Sequence, residues 1–355
     1  MDRRVERNLS LIPWHEVLAS MSPWIAILVL FTRAKFGLEG AIRLAGLHYL
    51  VVVLFEVPSG WMSDRLGRVI TLRVAAGCWI VAFTCLLFSG SSFFVVALGI
   101  SFIAIGYASL SGTDVTLHYD TLEALGRESE YPDRQASISS RGRIAAAVAA
   151  LVGGLLGLID LRLAFAVSLV LSMVQLYITF QFTEPPRRAG AVAERFDQQI
   201  GRCLTYLREG PIAWIFGYGI AMVVLEHVAF TLLQPWLTEA FDRTADELGT
   251  IPLLSGVTIA VTSLVGSAFA RASTPLARRF GVRVVLVGLG VLSAVIVSAM
   301  WLSTSLIVLV FIAFRSAQGA AAPVLVSTAA ARVVAPEHRA TFLSLDSLGG
   351  RLTYG

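Results

Sequence analysis

Apolar residues run along this chain in long blocks separated by short polar breaks. A helix rises about 1.5 Å per residue and needs about 20 apolar residues to cross a bilayer core. On that ruler the blocks predict an all-α, polytopic membrane helix bundle. Spans 1 to 6 are predicted at residues 17–36, 43–62, 70–90, 93–117, 143–160 and 162–182. Spans 7 to 10 follow at 211–237, 250–271, 283–302 and 305–331. An eleventh apolar stretch begins near Thr341 and stops at Gly355, too short to cross, so the chain is expected to end within helix 11.

The polar breaks organise the blocks. A loop with charges of both signs is predicted from Glu123 to Arg143, around Pro132. A longer break at 184–210 divides the chain into an N-terminal part, 1–183, and a C-terminal part, 211–355. Within it, Phe196, Ile200, Leu204 and Leu207 recur at helical spacing with arginines on the other face, which predicts an interfacial helix. The two parts echo one another. A-R-R-F-G-V-R between spans 8 and 9 stands where S-D-R-L-G-R stands between spans 2 and 3, and S-R-G-R-I at Ser140–Ile144 matches L-G-G-R-L at Leu348–Leu352. Such internal repetition predicts two like halves, with a site between them near the membrane midplane.

Composition agrees with a bilayer protein: 56% hydrophobic and 15% charged residues, with a mean hydropathy of +0.75, against about 25% charged for soluble domains. The net charge of +4 does not point to nucleic acid, because the basic residues sit in short breaks between spans. With the N-terminus inside, twenty-one basic residues fall on the cytoplasmic side and five outside, which predicts a multi-pass protein of the inner (plasma) membrane with a cytoplasmic N-terminus. Cys78, Cys85 and Cys203 form neither a disulfide framework nor a metal-ligand spacing. No metal, no cofactor and no enzyme motif is expected: there is no nucleophile elbow, no H-E-x-x-H and no phosphate-binding glycine loop.

One break is rich in detail. From Glu56 to Arg73 the chain reads E-V-P-S-G-W-M-S-D-R-L-G-R-V-I-T-L-R. Gly60 and Gly67 let helix ends approach and turn, Asp64 suits the N-terminus of another helix, and Arg65 and Arg68 hold the turn among anionic headgroups. Glu56 beside Pro58 forms a possible hinge, since proline frees a backbone carbonyl within the span.

The pattern G-x-x-x-D-R-x-G-R resembles the loop between helices 2 and 3 of the major facilitator superfamily of secondary transporters, with Val69 where a further basic residue is usual. The resemblance implies two six-helix halves that rock against each other, with spans 1, 4, 7 and 10 lining the substrate path. It also implies that Asp120, ending span 4, pairs with Arg68. Gly60, Asp64, Arg65, Gly67, Arg68 and Asp120 then form a conformational latch, and Asp64 is assigned a seat near Arg339–Thr341 at the start of span 11.

Ionisable residues inside spans are the candidates for chemistry, because a charge at a helix centre costs about 2.5–3.5 kcal/mol. Asp114 in span 4, Glu226 in span 7, and Arg315 with Gln318 in span 10 are assigned to the substrate and proton path, with Trp24 and Tyr107 as aromatic lining. Glu226 is expected to carry the coupling proton and Arg315 to modulate it or bind an anion, the bland alternative being a buried pair that only joins two helices. The expected function is transport of a small-molecule substrate by a monomer, coupled to protons. Efflux of an amphipathic compound comes first, although span 5 lacks the proline of the glycine-proline element found in drug antiporters of that superfamily. Symport of a small anion or nutrient is the alternative, and a membrane sensor or scaffold without transport is the alternative of another class.

Overall fold

The computed structural model describes residues 2–186, 195–208, 210–223, 225, 251–303, 305 and 307–354. All the regular structure among these residues is helical, as a lipid-embedded chain requires when every backbone polar group must find its partner within the segment.

The first helix, α1 (Asp2–Ser20), starts fifteen residues before the predicted span. Its charged beginning hides a stripe, Val5, Asn8, Ile12 and His15, at spacings of three and four, and all four side chains are buried. A 3-10 turn at Pro23–Ala26 interrupts this span before α2 (Leu28–Leu66). Gly37, at φ 68° and ψ −177°, breaks α2, and there the chain doubles back. Both ends of the resulting hairpin meet the same segment, since Asn8 bonds Thr183 and Arg68 bonds Glu184. α3 (Arg68–Leu87) begins directly after Gly67, whose φ of 124° only glycine adopts readily.

Span 4 is two helices, α4 (Phe93–Leu110) and α5 (Thr113–Ala124), joined at Ser111 and at Gly112, which takes φ 74°. The polar loop expected over 123–143 is much shorter. α6 runs over Tyr131–Ile159 with Pro132 in its first turn, where a missing N–H is harmless. α7 (Leu161–Gln181) completes this part of the bundle. Its core joins Phe31, Leu44, Phe83, Leu86, Ile100, Ile103 and Phe165 from four helices.

α8 (Phe196–Thr205) occupies the connector. It buries Gln199 and Cys203 against the protein, while Phe196 and Leu204 remain 38% and 49% exposed. Two of the four predicted apolar positions are therefore left outward, while Leu207 packs with Cys203 against the protein. α9 (Gly210–Val223) starts the C-terminal part, followed by α10 (Ile251–Phe280), α11 (Val282–Leu302), α12 (Ile307–Ala313), α13 (Ser316–Val333) and α14 (Arg339–Tyr354). Span 8 extends nine residues past its predicted end, so Arg278 and Arg279 lie in its last turn, where cations complement the helix dipole. Span 10 is again two helices, parted at Phe314 and Arg315.

The parts before and after the connector meet along two seams, α6 against α10 and α2 against α14. Hydroxyls in the spans mostly donate one turn back along their own helices, as Ser101, Ser168 and Ser172 do, which satisfies them without a partner from water. Seven stretches are long and apolar enough to cross a membrane among the described residues.

Candidate functional site

At the arginine-rich end of the bundle, α2, α3, α5, α8 and α14 converge on Asp64, whose side chain is 1% exposed. Oδ2 of Asp64 accepts the Thr341 backbone N–H at 2.8 Å and the Thr341 hydroxyl at 2.6 Å, and Oδ1 accepts the Ala340 N–H at 3.3 Å. These are the unpaired donors of the first turn of α14, the positive end of its dipole. Gln199 Nε2 on α8 donates to Asp64 Oδ2 at 2.9 Å and to the Glu337 carbonyl at 3.0 Å. α2 can come this near because Gly60 has no side chain: a Cβ there would stand 3.0 Å from the Ala340 carbonyl oxygen.

Arg68 balances the charge. Its guanidinium pairs with Asp64, lies 3.2 Å from Asp120 Oδ2, and donates to the Pro336 carbonyl at 2.6 Å. The other oxygen of Asp120 takes Arg339 at 2.8 Å, and Arg339 also pairs with Glu123 at 3.0 Å. The remaining Arg339 donors meet the carbonyls of Ala331 and Val334, and its plane lies 4.2 Å from the Tyr119 ring centroid. Glu184 caps α3, accepting the N–H groups of Arg68 and Val69 at 2.7 and 2.9 Å. Beside this network, Tyr206 OH lies 3.0 Å from His338 Nδ1, and burial raises the phenol above its ordinary value.

Deeper in the bundle lies a second polar cluster. Glu16 of α1 accepts a hydrogen bond from Ser20 at 3.2 Å and lies within electrostatic reach of Asp114 on α5 and Arg143 on α6. Arg143 itself donates to the Gly319 carbonyl of α13 at 2.5 Å, across the seam between the two parts. A narrow cavity of about 10 Å³ runs beside Glu16 and Asp114, lined also by His15, Gln135, Leu117 and Phe182. The two histidines are held by amides: His118 Nδ1 stands 2.7 Å from Gln135 Oε1, and His15 Nε2 stands 3.3 Å from Gln175. Two carboxylates and one arginine in a shared polar interior make an anionic cluster, suited to a cation or a proton. No group of three or more metal-ligating side chains occurs among the described residues.

The family model of the Major Facilitator Superfamily matches residues 16–354. The chain belongs to that superfamily. Solved transporters of this superfamily share its fold. The E. coli fucose:proton symporter FucP superposes with a TM-score of 0.73 at 13% identity, over 98% of this chain and 90% of that one. The nucleoside transporter NupG gives 0.69 at 13%, over 98% and 88%. The human organic anion transporter MFSD10 gives 0.67 at 17%, over 99% and 92%. No curated protein sequence matches at a significant level. This major facilitator is accordingly a multi-pass membrane transporter of small molecules.

Within this superfamily member, the sequence-predicted residues fall in several places. Gly60, Asp64, Gly67, Arg68 and Asp120 come together at the arginine-rich end, while Arg65 points away and stacks over Trp61 at 5.0 Å. Asp114 adjoins Glu16. Gln318 is buried on α13, and Arg315 stands at the turn that precedes it. Trp24 packs on Phe83, with ring centroids 6.0 Å apart, and Tyr107 is 48% exposed. Glu56 is fully buried, and α2 passes through Pro58 without leaving helical geometry. Glu226 lies outside the described residues.

Several residues of these clusters are not legible in the sequence. Glu16 sits in the mixed stretch P-W-H-E just before the predicted first span, and its only signal is its position next to His15 and four residues after Ile12. Arg143 appears in sequence as one more loop arginine. Gln199 and Glu184 belong to the connector, where polar residues are ordinary.

Proposed function

We propose that this chain is a proton-coupled exporter of an amphipathic, cationic compound, working by alternating access with its arginine-rich end in the cytoplasm of the cell whose inner membrane it spans. The observation that carries this reading is the seat of Asp64 on the first turn of α14. That contact joins the parts before and after the connector through hydrogen bonds rather than an apolar interface, so it is made and unmade as a unit. Gly60, Arg68, Asp120, Arg339 and Gln199 complete it as a latch, closed in the conformation described. The preference for a cation follows from Glu16 lying within electrostatic reach of both Asp114 and Arg143, two carboxyls to one guanidinium, beside a cavity lined also by Ile12, Leu72, Leu117, Ile138 and Phe182.

Purified protein in proteoliposomes tests this directly. An imposed pH gradient should drive tetraphenylphosphonium opposite to proton flow, and a protonophore should abolish the flux. Movement in the same direction as protons, or none, would overturn export. Arg315 at the turn between α12 and α13 supports a second reading, symport of a small carboxylate, which predicts uptake in the direction of proton flow. A sensor with this fold predicts neither flux.

A further inference from the structure

Asp346 lies on α14, five residues beyond Thr341, roughly 7 Å further into the bundle at about 1.5 Å per residue. Ser344 and Asp346 fall on opposite sides of that helix. Ser344 faces Gly60 of α2, and the Asp346 carboxyl lies against Gly219 of α9, where a Cβ would come 2.6 and 2.8 Å from its two oxygens. Its Oδ1 is enclosed and meets no hydrogen-bond donor among the described residues.

No charged side chain among the described residues acts on it either. The charged groups that neighbouring elements bring to this end of α14 are Asp64 of α2, which engages its first turn, Asp120 and Glu123 of α5, which engage Arg339, and Arg68 of α3, which donates to the Pro336 carbonyl just before the helix. Glu56, one turn along α2 from Gly60, lies on the Ser344 side. α9 presents Gly219, while the neighbouring Tyr218 stacks on Trp214 with ring centroids 5.6 Å apart and faces Gly290 of α11. A carboxyl so placed is less costly as the neutral acid than as an anion, because among the described residues neither a counter-ion nor a donor replaces the water lost at Oδ1.

We propose that Asp346 is a proton-binding site of this carrier, loaded while α14 is seated on Asp64 and discharged when that seat breaks. The inference rests on the alternating-access reading above. α14 carries both features on one rigid rod: its first turn is the gate's acceptor of Asp64, and its next turns hold the acid against α9. When the rod moves, water reaches the carboxyl. The O–H bond breaks, the proton passes to water, and the carboxylate that remains is hydrated. The ionised group then opposes return of α14 to the dry seat until a proton binds again, so proton release and gate opening are one step.

The test uses the full chain in lipid, with Cys78 and Cys85 replaced by serine so that Cys203, buried beneath the gate with Sγ 3.8 Å from the His338 carbonyl, is the single thiol. Infrared spectra across pH report protonated carboxyl groups, and an impermeant maleimide reports opening through Cys203. The expected result is a carboxyl band that fades as pH rises, together with faster labelling of Cys203. In Asp346→Asn the band is lost, and labelling loses its pH dependence while thermal stability is retained. Gly219→Ala keeps the acid but crowds it, and should shift the pH at which both signals change.

An unaltered band in folded Asp346→Asn overturns the proposal. So does a band that fades in the parent protein with no change in Cys203 labelling. If both signals titrate together but no proton-driven flux of any probe is found, the proton site stands and the export reading falls.

Discussion

Asp64 is a buried acid and Asp346 a half-buried one with an enclosed oxygen; they stand on two helices that pack against each other, and their surroundings are opposite. Asp64 receives two backbone N–H groups, a hydroxyl and an amide, and pairs with an arginine. Asp346 rests on the bare backbone of Gly219 with an enclosed oxygen that accepts nothing among the described residues. The first arrangement fixes an ionised group in one geometry, where its removal leaves Arg68 stranded. The second leaves the group able to change its charge. The difference separates a carboxylate that holds the molecule shut from one suited to sensing whether it is shut.

The contrast predicts opposite responses to the loss of charge. Asp64→Ala should destabilise the protein by about 3–5 kcal/mol, the usual consequence of breaking a buried pair, whereas Asp346→Asn should leave thermal unfolding unchanged or raise its midpoint. Equal losses in the two variants would break the comparison. Gly60→Leu, which forces α2 off α14 without touching a charge, should cost about 1–3 kcal/mol by overpacking and speed labelling of Cys203 by an impermeant maleimide. Slow labelling in that variant would mean that the close approach is not what seals the gate. Gln199→Ala should cost about 1 kcal/mol, read as a modest fall in melting temperature with Cys203 more reactive. Arg65→Ala, at an exposed side chain over Trp61, should change stability by less than about 1 kcal/mol, and a large effect there would extend the gate to the bundle's outer surface.

Much of the fold could be read from hydropathy, because a bilayer demands long apolar runs and leaves few alternatives. What could not be read was where helices begin. α1 starts at Asp2 because burial needs only a stripe, and Val5, Asn8, Ile12 and His15 supply one within a charged segment. α6 starts at Tyr131 because Pro132 opens a helix as readily as it ends one. The breaks at Gly112 and Arg315 were invisible for a similar reason, since hydropathy is indifferent to backbone geometry.

The site divides along the same line. Asp64, Arg68 and the two glycines share one short turn, so their chemistry shows in their spacing. Glu184, Gln199 and the carbonyl of Pro336 reach that turn from sequence positions more than a hundred residues away, and no local pattern announces such partners. Asp346 is legible only as an acid in an apolar stretch. Its lack of a partner among the described residues is a property of the packed neighbours.

The cap that Glu184 places on α3 also bears on how the protein is made. A chain leaving the ribosome exposes the start of α3 long before residue 184 exists, so the N–H groups of Arg68 and Val69 wait for a carboxylate synthesised 116 and 115 residues later. Asn8 waits longer still for the backbone of Thr183. Thr183 and Glu184 therefore act as the last stitch of the first six spans: until they arrive, this part of the bundle is threaded through the membrane but unsealed, and the opening residue of the connector is what closes it.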